Sequence, residues 1–163
     1  MGTEWIANLA QDIRQKGHEA AENYGRAQHQ AEIVTTGGKP FFTAFVIRLE
    51  ADVNEIKRQL QGDVTSSDTI FQTISPTEVK LTRSRFPWFD ASITHKDPII
   101  VLDYAKGLGV AGDPTLDRKT CHFTFQVADD DTLSLQESFG DNPQQFHQPE
   151  EFAQHILELL FKL

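Results

Sequence analysis

The clearest candidate for binding chemistry is a basic and aromatic stretch near the middle of the chain. Arg83 and Arg85 are followed closely by Trp88 and Phe89. The two arginines share parity in a predicted strand, so their guanidinium groups project from one face. Two such planar forks hold a carboxylate or phosphate through paired hydrogen bonds, and the two aromatic rings would wall an adjacent apolar pocket. These four residues therefore predict a ligand-binding site. The alternative is a strand that leaves the core at this point and ends in solvent.

A glycine-rich segment has the spacing of a nucleotide-binding motif. Gly107, Gly109 and Gly112 give G-x-G-x-x-G after an apolar strand, but Asp113-Pro114 follows at once and the next strand begins near Cys121. A dinucleotide site needs a crossover helix at this point, and the segment is too short to hold one. We interpret 106–119 as a long loop, and the sequence predicts no cofactor.

The remaining reactive side chains lack the spacing of a known site. Three consecutive acids, Asp129–Asp131, do not alternate as calcium ligands do, so they predict a solvated hairpin turn. Cys121 and His122 are adjacent and should point to opposite faces of a strand, with Cys121 toward the core. None of the six histidines forms an H-x-H or H-x-x-x-H pair. No catalytic residue and no metal ligand is predicted. An enzyme whose residues converge only in the fold stays open.

Charge and composition limit the partners. The chain has 163 residues and a formal net charge of −9, which disfavours nucleic acid and anionic membrane surfaces. No segment approaches the ~20 apolar residues that span a bilayer, and the N-terminus lacks the features of a signal peptide. With a single cysteine, an intramolecular disulfide is excluded. We expect a soluble, cytoplasmic protein.

The acidic charge is concentrated at the C-terminal end. Residues 129–163 hold eight acidic residues and one lysine, a charge of −7. Because the basic stretch around Arg83 lies far from it in sequence, the surface is expected to be dipolar.

The first predicted element is a long helix over 3–36. Apolar or small residues recur along it at alternating spacings of four and three: Ile6, Ala10, Ile13, Gly17, Ala20, Tyr24, Ala27 and Ala31. This heptad seam predicts packing either on the helix's own domain or on a second subunit, as in a homodimer. Gly37-Gly38 is expected to end the helix and start a turn.

The rest of the chain reads mainly as strands. Phe41, Phe45, Ile47 and Leu49 share parity, which predicts a strand over 41–50, and a short amphipathic helix is predicted over 52–62. Period-two patterns predict six further strands at about 68–74, 78–85, 88–95, 99–105, 120–128 and 132–139. A strongly apolar helix over 149–163 follows, which must pack on the sheet or on a partner.

These elements predict an α+β fold in a single domain, 1–163. Residues 1–36 form the N-terminal helix, and 40–163 form a curved antiparallel sheet of about six to seven strands packed on the C-terminal helix. The order strand, helix, six strands, helix over 40–163 is similar to helix-grip domains such as the START and Bet v 1 folds. That resemblance implies a ligand cavity between sheet and helix.

The expected function is a non-catalytic binding module for an apolar, amphipathic or anionic small ligand. One alternative is an adaptor or chaperone that binds a protein partner through its N- or C-terminal helix. The other alternative is an enzyme whose catalytic residues come together only in the folded chain.

Overall fold

Two helices pack against a seven-stranded antiparallel sheet. The computed structural model describes residues 2–61, 69–84, 87–107, 118–139 and 142–162. The helices and strands are, in chain order, α1 Glu4–Gln59, β1 Thr69–Ser75, β2 Glu78–Arg83, β3 Trp88–Lys96, β4 Ile99–Gly107, β5 Lys119–Val127, β6 Leu133–Glu137, β7 Gln145–Phe146 and α2 Pro149–Phe161.

The sheet is a simple meander. Its strand order is β1-β2-β3-β4-β5-β6-β7, every neighbouring pair is antiparallel, and the sheet is curved and unclosed. This confirms the predicted α+β class with a long N-terminal helix and a C-terminal helix. The six strands predicted from period-two patterns are all present within a few residues of the expected ends. The short β7, which pairs Phe146 with Leu135 of β6, was not predicted.

Helix α1 runs without interruption for 56 residues, and the strand predicted over 41–50 is wrong. Phe41, Phe42, Phe45 and Leu49 are all buried, whereas Ile47 is 65% exposed. Burial at spacings of one, three and four residues is the pattern of a helix face. Phe41, Phe45 and Leu49 are each four residues apart, a spacing that fits the two-residue period of a strand and also the 3.6-residue period of a helix. Packing against the sheet selects the helix.

Gly37 and Gly38 bring α1 close to the sheet instead of ending it. A Cβ at Gly37 would lie 2.8 Å from Leu133 Cδ2, and one at Gly38 would lie 3.2 Å from Phe125 Cε2. The missing side chains let the helix backbone approach the inner face of the sheet. Pro40 lies inside the helix, where its absent N–H removes a backbone hydrogen bond. Continuous helix at this point therefore rests on tertiary packing.

The core lies between one face of the sheet, α2 and the C-terminal half of α1. The ring of Phe152 on α2 lies 4.6 Å from that of Phe45 on α1 and 4.9 Å from that of Phe123 on β5, centroid to centroid. All three side chains are fully buried. The space between sheet and helices, where a ligand cavity was expected, is thus occupied by phenylalanine rings at these positions.

The N-terminal half of α1 extends beyond the sheet. Its side chains are exposed from Glu4 to Glu32 except at Ala10 and Gln30, which are half-buried. Near the sheet, His29 Nε2 of α1 lies 3.0 Å from Asp131 Oδ2 in the turn between β5 and β6. None of the described helices is both long and apolar enough to cross a membrane.

Candidate functional site

Arg83, the first residue of the predicted site, is buried. Only 2% of its surface is exposed, and its Nη1 donates a 2.7 Å hydrogen bond to Thr69 Oγ1. Its Cζ lies 5.5 Å from the centre of the Phe161 ring, at the end of α2. This distance suits a cation–π contact. The guanidinium group thus lies within the contact between β1, β2 and α2.

Phe89 accompanies Arg83 in this cluster, whereas Trp88 does not. Phe89 pairs with Arg83 across β2 and β3, is fully buried, and meets the ring of Phe161 edge-on at 5.1 Å. Trp88 precedes Phe89 in the same strand, so it points to the opposite face of the sheet, where it is also buried. Arg85 lies outside the described residues, so the anion clamp that it would form with Arg83 stays a prediction.

Cys121 and His122 are separated as their adjacency in a strand requires. In β5 they pair with different residues of β4, Leu102 and Val101, and so face opposite sides of the sheet. Burial raises the pKa of the Cys121 thiol. A raised thiol pKa lowers the thiolate fraction, which is the opposite of what a nucleophilic cysteine needs.

The acidic turn between β5 and β6 is held by its own hydrogen bonds. Asp130 Oδ1 accepts a bond from the backbone N–H of Thr132, and Asp131 adopts a left-handed backbone with φ of 65°. The Asp131 carboxylate raises the pKa of His29 through their hydrogen bond.

Among the described residues, no three histidine, cysteine or acidic side chains come together as a metal-binding group. Residues 108–117 of the predicted glycine loop lie outside the described residues.

An open groove of about 430 Å³ lies between α1 and α2. We call it the α1–α2 groove. Its apolar floor includes Ile56 of α1 and Leu157 of α2. The carboxylates that line it come from both helices: Asp52, Glu55, Glu150, Glu151 and Glu158.

The positive charge in this groove is already engaged. Arg48 is the basic residue of the groove lining, and its Nε donates a 3.0 Å hydrogen bond to Asp52 Oδ1 one turn along α1. Glu55 is bound by Arg58 on the exposed side of the helix, and this bond is the main reason that its pKa falls to about 2. The groove therefore combines an apolar floor with carboxylate walls that outnumber the single guanidinium group.

The sequence contained part of this signal. Asp52 and Glu55 lie on the solvent side of a predicted amphipathic helix, and Glu150 and Glu151 start the other. The sequence does not show that these two helices lie side by side. Because the period-two pattern of the segment before Asp52 predicts a strand, local sequence does not place Asp52 beside α2.

Comparison of the chain with protein-family models, with curated protein sequences and with solved structures gives no match.

Proposed function

We propose that this protein is a non-catalytic binding module that holds a basic, amphipathic segment of a partner protein in the α1–α2 groove. The observation that carries the proposal is the combination of apolar floor and acidic walls along two adjacent helices. It develops the expected adaptor function, with the C-terminal helix and the C-terminal half of α1 as the binding surface.

The floor of the groove favours an amphipathic ligand over a simple cation. Leu157 and Ile56 line the groove between the charged rims; Leu157 is 7% exposed and Ile56 is half-buried. An amphipathic helix laid along a groove places apolar anchors on such a floor. Its lysine or arginine side chains would then lie beside Glu150, Glu151 and Glu158.

The acidic walls favour a basic partner kinetically as well as at equilibrium. Five carboxylates and one guanidinium group line the groove, and the whole chain carries a net charge of −9. Complementary charge steers association and discriminates against acidic partners. Because the walls are solvent-exposed, binding should weaken as salt screens these charges.

A synthetic helical peptide tests the proposal. A fluorescent 18-residue peptide with leucine on one face and lysine on the other should bind, as measured by anisotropy at low salt. A peptide of the same composition in scrambled order, and spermine as a competitor, separate amphipathic binding from cation binding. Equal affinity for the scrambled peptide, or complete displacement by spermine, would overturn the assignment of the floor.

Charge variants locate the site. Glu150→Gln with Glu158→Gln should weaken binding by about tenfold, since each exposed ion pair contributes up to about 1 kcal/mol. Glu19→Gln with Glu22→Gln makes the same change of charge on the exposed half of α1 and serves as the matched control. If both double variants bind alike, or if neither the peptide nor its scrambled form binds, the groove is not the binding surface.

A further inference from the structure

The N-terminal half of α1 carries an exposed apolar seam that the α1–α2 groove does not use. Ile6, Ile13 and Tyr24 on the seam are 48%, 62% and 71% exposed, and Leu9 beside it is 50% exposed. An isolated helix in water is only marginally stable, and Gly17 and Gly25 each weaken this one by about 1 kcal/mol relative to alanine. A cover for the seam would supply the packing that the exposed half of α1 lacks.

The seam continues without a phase change into the part of α1 that the sheet covers. After Ala31 the same alternation of three and four residues runs through Val34, Gly38, Phe41 and Phe45. Val34 packs against the core, Gly38 approaches the ring of Phe125, and Phe41 and Phe45 are buried. The residues of the exposed half thus repeat the spacing of a helix face that is covered by protein.

We propose that two copies of this chain associate by antiparallel pairing of α1 over residues 4–32. In the register that fits the seam, residue numbers that face each other add up to about 37. Ile13 of each copy then lies beside Tyr24 of the other, Ile6 lies beside Ala31, and Gly17 beside Ala20. The small residues at the centre allow the two helices to approach closely, and the larger ones fill the flanks.

The continuity of α1 favours the antiparallel direction. Since α1 is one helix to Gln59, a parallel second copy would carry its residues 34–45 along the face where Gly38 and Phe41 meet the sheet. That space is occupied by Phe125, whose ring lies 5.5 Å from that of Phe41. In the antiparallel arrangement, the second copy's sheet lies beyond Glu4 of the first copy, at the opposite end of the pair.

Neighbouring registers fail for steric or electrostatic reasons. A shift of one heptad toward the sheet places Ile6 of the second copy opposite Gly38, at the contact with Phe125. A shift in the other direction leaves Ala27 and Ala31 uncovered and sets Arg14 against Arg14, and Lys16 against Lys16, of the second copy. In the proposed register, Arg14 faces Ala21 and Lys16 faces Asn23, so no like charges are opposed.

The geometry predicts a weak, reversible dimer. The paired helices would touch over about 40 Å of length and about 10 Å of width, roughly 800 Å² in total, below the ~1,200–2,000 Å² of stable interfaces. A heptad repeat drifts by ~20° per heptad on a straight helix, so the two helices must coil around each other with a left-handed twist. We therefore expect monomer and dimer to exchange over the micromolar range.

Sedimentation equilibrium of the full chain tests association. The molar mass should rise from 18.4 kDa toward twice that value as concentration increases. Ile13→Asp should weaken dimerisation at least tenfold, because it places a carboxylate in the seam. Ile47→Asp is the matched control, since Ile47 is 65% exposed on the same helix but outside the seam. A monomer at all concentrations, or equal loss in both variants, would overturn the proposal, with circular dichroism verifying that each variant is folded.

Disulfide cross-linking tests the direction. In a Cys121→Ala background, a mixture of Gly17→Cys and Ala20→Cys chains should form a mixed cross-linked dimer on mild oxidation, whereas neither variant alone should. Efficient cross-linking of Ala20→Cys alone would show a parallel pair and overturn the antiparallel register. The groove variants Glu150→Gln and Glu158→Gln lie on the other half of α1 and on α2, so dimerisation and peptide binding succeed or fail independently.

Discussion

Lys106 Nζ lies 2.7 Å from the carbonyl oxygen of Leu159. It also donates a 2.7 Å hydrogen bond to the carbonyl oxygen of Lys162, so a side chain of β4 binds two backbone carbonyls at the end of α2. The last carbonyls of a helix have no partner within it, and they carry the negative end of the helix dipole. The amine of Lys106 therefore fixes the C-terminal end of α2 to the sheet.

Replacing Lys106 should loosen this end of α2. Lys106→Met keeps most of the aliphatic stem and removes both charge-assisted hydrogen bonds, so we expect a loss of about 1–3 kcal/mol in the free energy of unfolding. Chemical denaturation in urea measures it. Lys80→Met, on the exposed side of β2, is the control and should change stability by less than about 0.5 kcal/mol. Equal stability of the two variants would contradict a role for Lys106 at the helix end.

Gly38 is expected to be intolerant of a large side chain. Gly38→Leu would press against Phe125 and His95, which lie 3.2 Å and 3.4 Å from the position of a Cβ. Overpacking of this kind typically costs about 1–3 kcal/mol, more than the ~1 kcal/mol gained in helix propensity. The thermal unfolding midpoint should therefore fall.

Gly25 provides the control for helix propensity. A Cβ at Gly25 meets no atom within 4 Å. Gly25→Leu should therefore raise the helicity of the exposed half of α1, as seen by circular dichroism, without lowering the unfolding midpoint. A stabilised Gly38→Leu would show that α1 does not approach the sheet as closely as the structure indicates.

Most of the sheet could be predicted from sequence, because its strands show period-two burial and are joined by short turns. The central strand, for example, was expected at 99–105 and is observed as Ile99–Gly107. The C-terminal half of α1 could not be predicted, because Gly37, Gly38 and Pro40 are locally helix-breaking residues. Their place in a helix depends on the sheet that lies against them.

The candidate binding surfaces, like the fold, could be predicted from the sequence only in part. The heptad seam of the N-terminal helix and the acidic residues of both helices are visible in the sequence. The burial of Arg83 is not, because Thr69 and Phe161, which surround its guanidinium group, lie 14 and 78 residues away in the chain. Long-range packing of this kind leaves no local signal.

Acid should destabilise the fold through His95. Its ring stacks on Phe42 at 5.5 Å, its Nε2 is buried without a hydrogen-bond partner among the described residues, and burial lowers its pKa. Because the folded-state pKa lies below the unfolded value of 6.5, the unfolded chain takes up the proton first. Stability should therefore be retained above pH 6.5 and fall as the pH drops below it.

Urea midpoints at pH 7.5 and pH 5.5 measure this effect. His95→Gln should lose less stability than the wild type between the two pH values, because the titrating ring is gone. His147→Gln, at an exposed position, should retain the wild-type pH dependence. An unchanged pH dependence in His95→Gln would assign the acid sensitivity to other groups, among them His155, whose pKa is also lowered by burial.

Arg83 separates a structural role from the predicted anion site. Arg83→Met removes the hydrogen bond to Thr69 and the positive charge above Phe161, so we expect the free energy of unfolding to fall by about 1–3 kcal/mol. Arg48→Met removes an exposed ion pair within one helix and should cost only about 0.3–0.5 kcal/mol. A residue that served only to bind an external anion would be replaceable without a change in the unfolding midpoint. A midpoint of Arg83→Met equal to that of the wild type, together with loss of stabilisation by added phosphate, would therefore favour the anion site over the structural role.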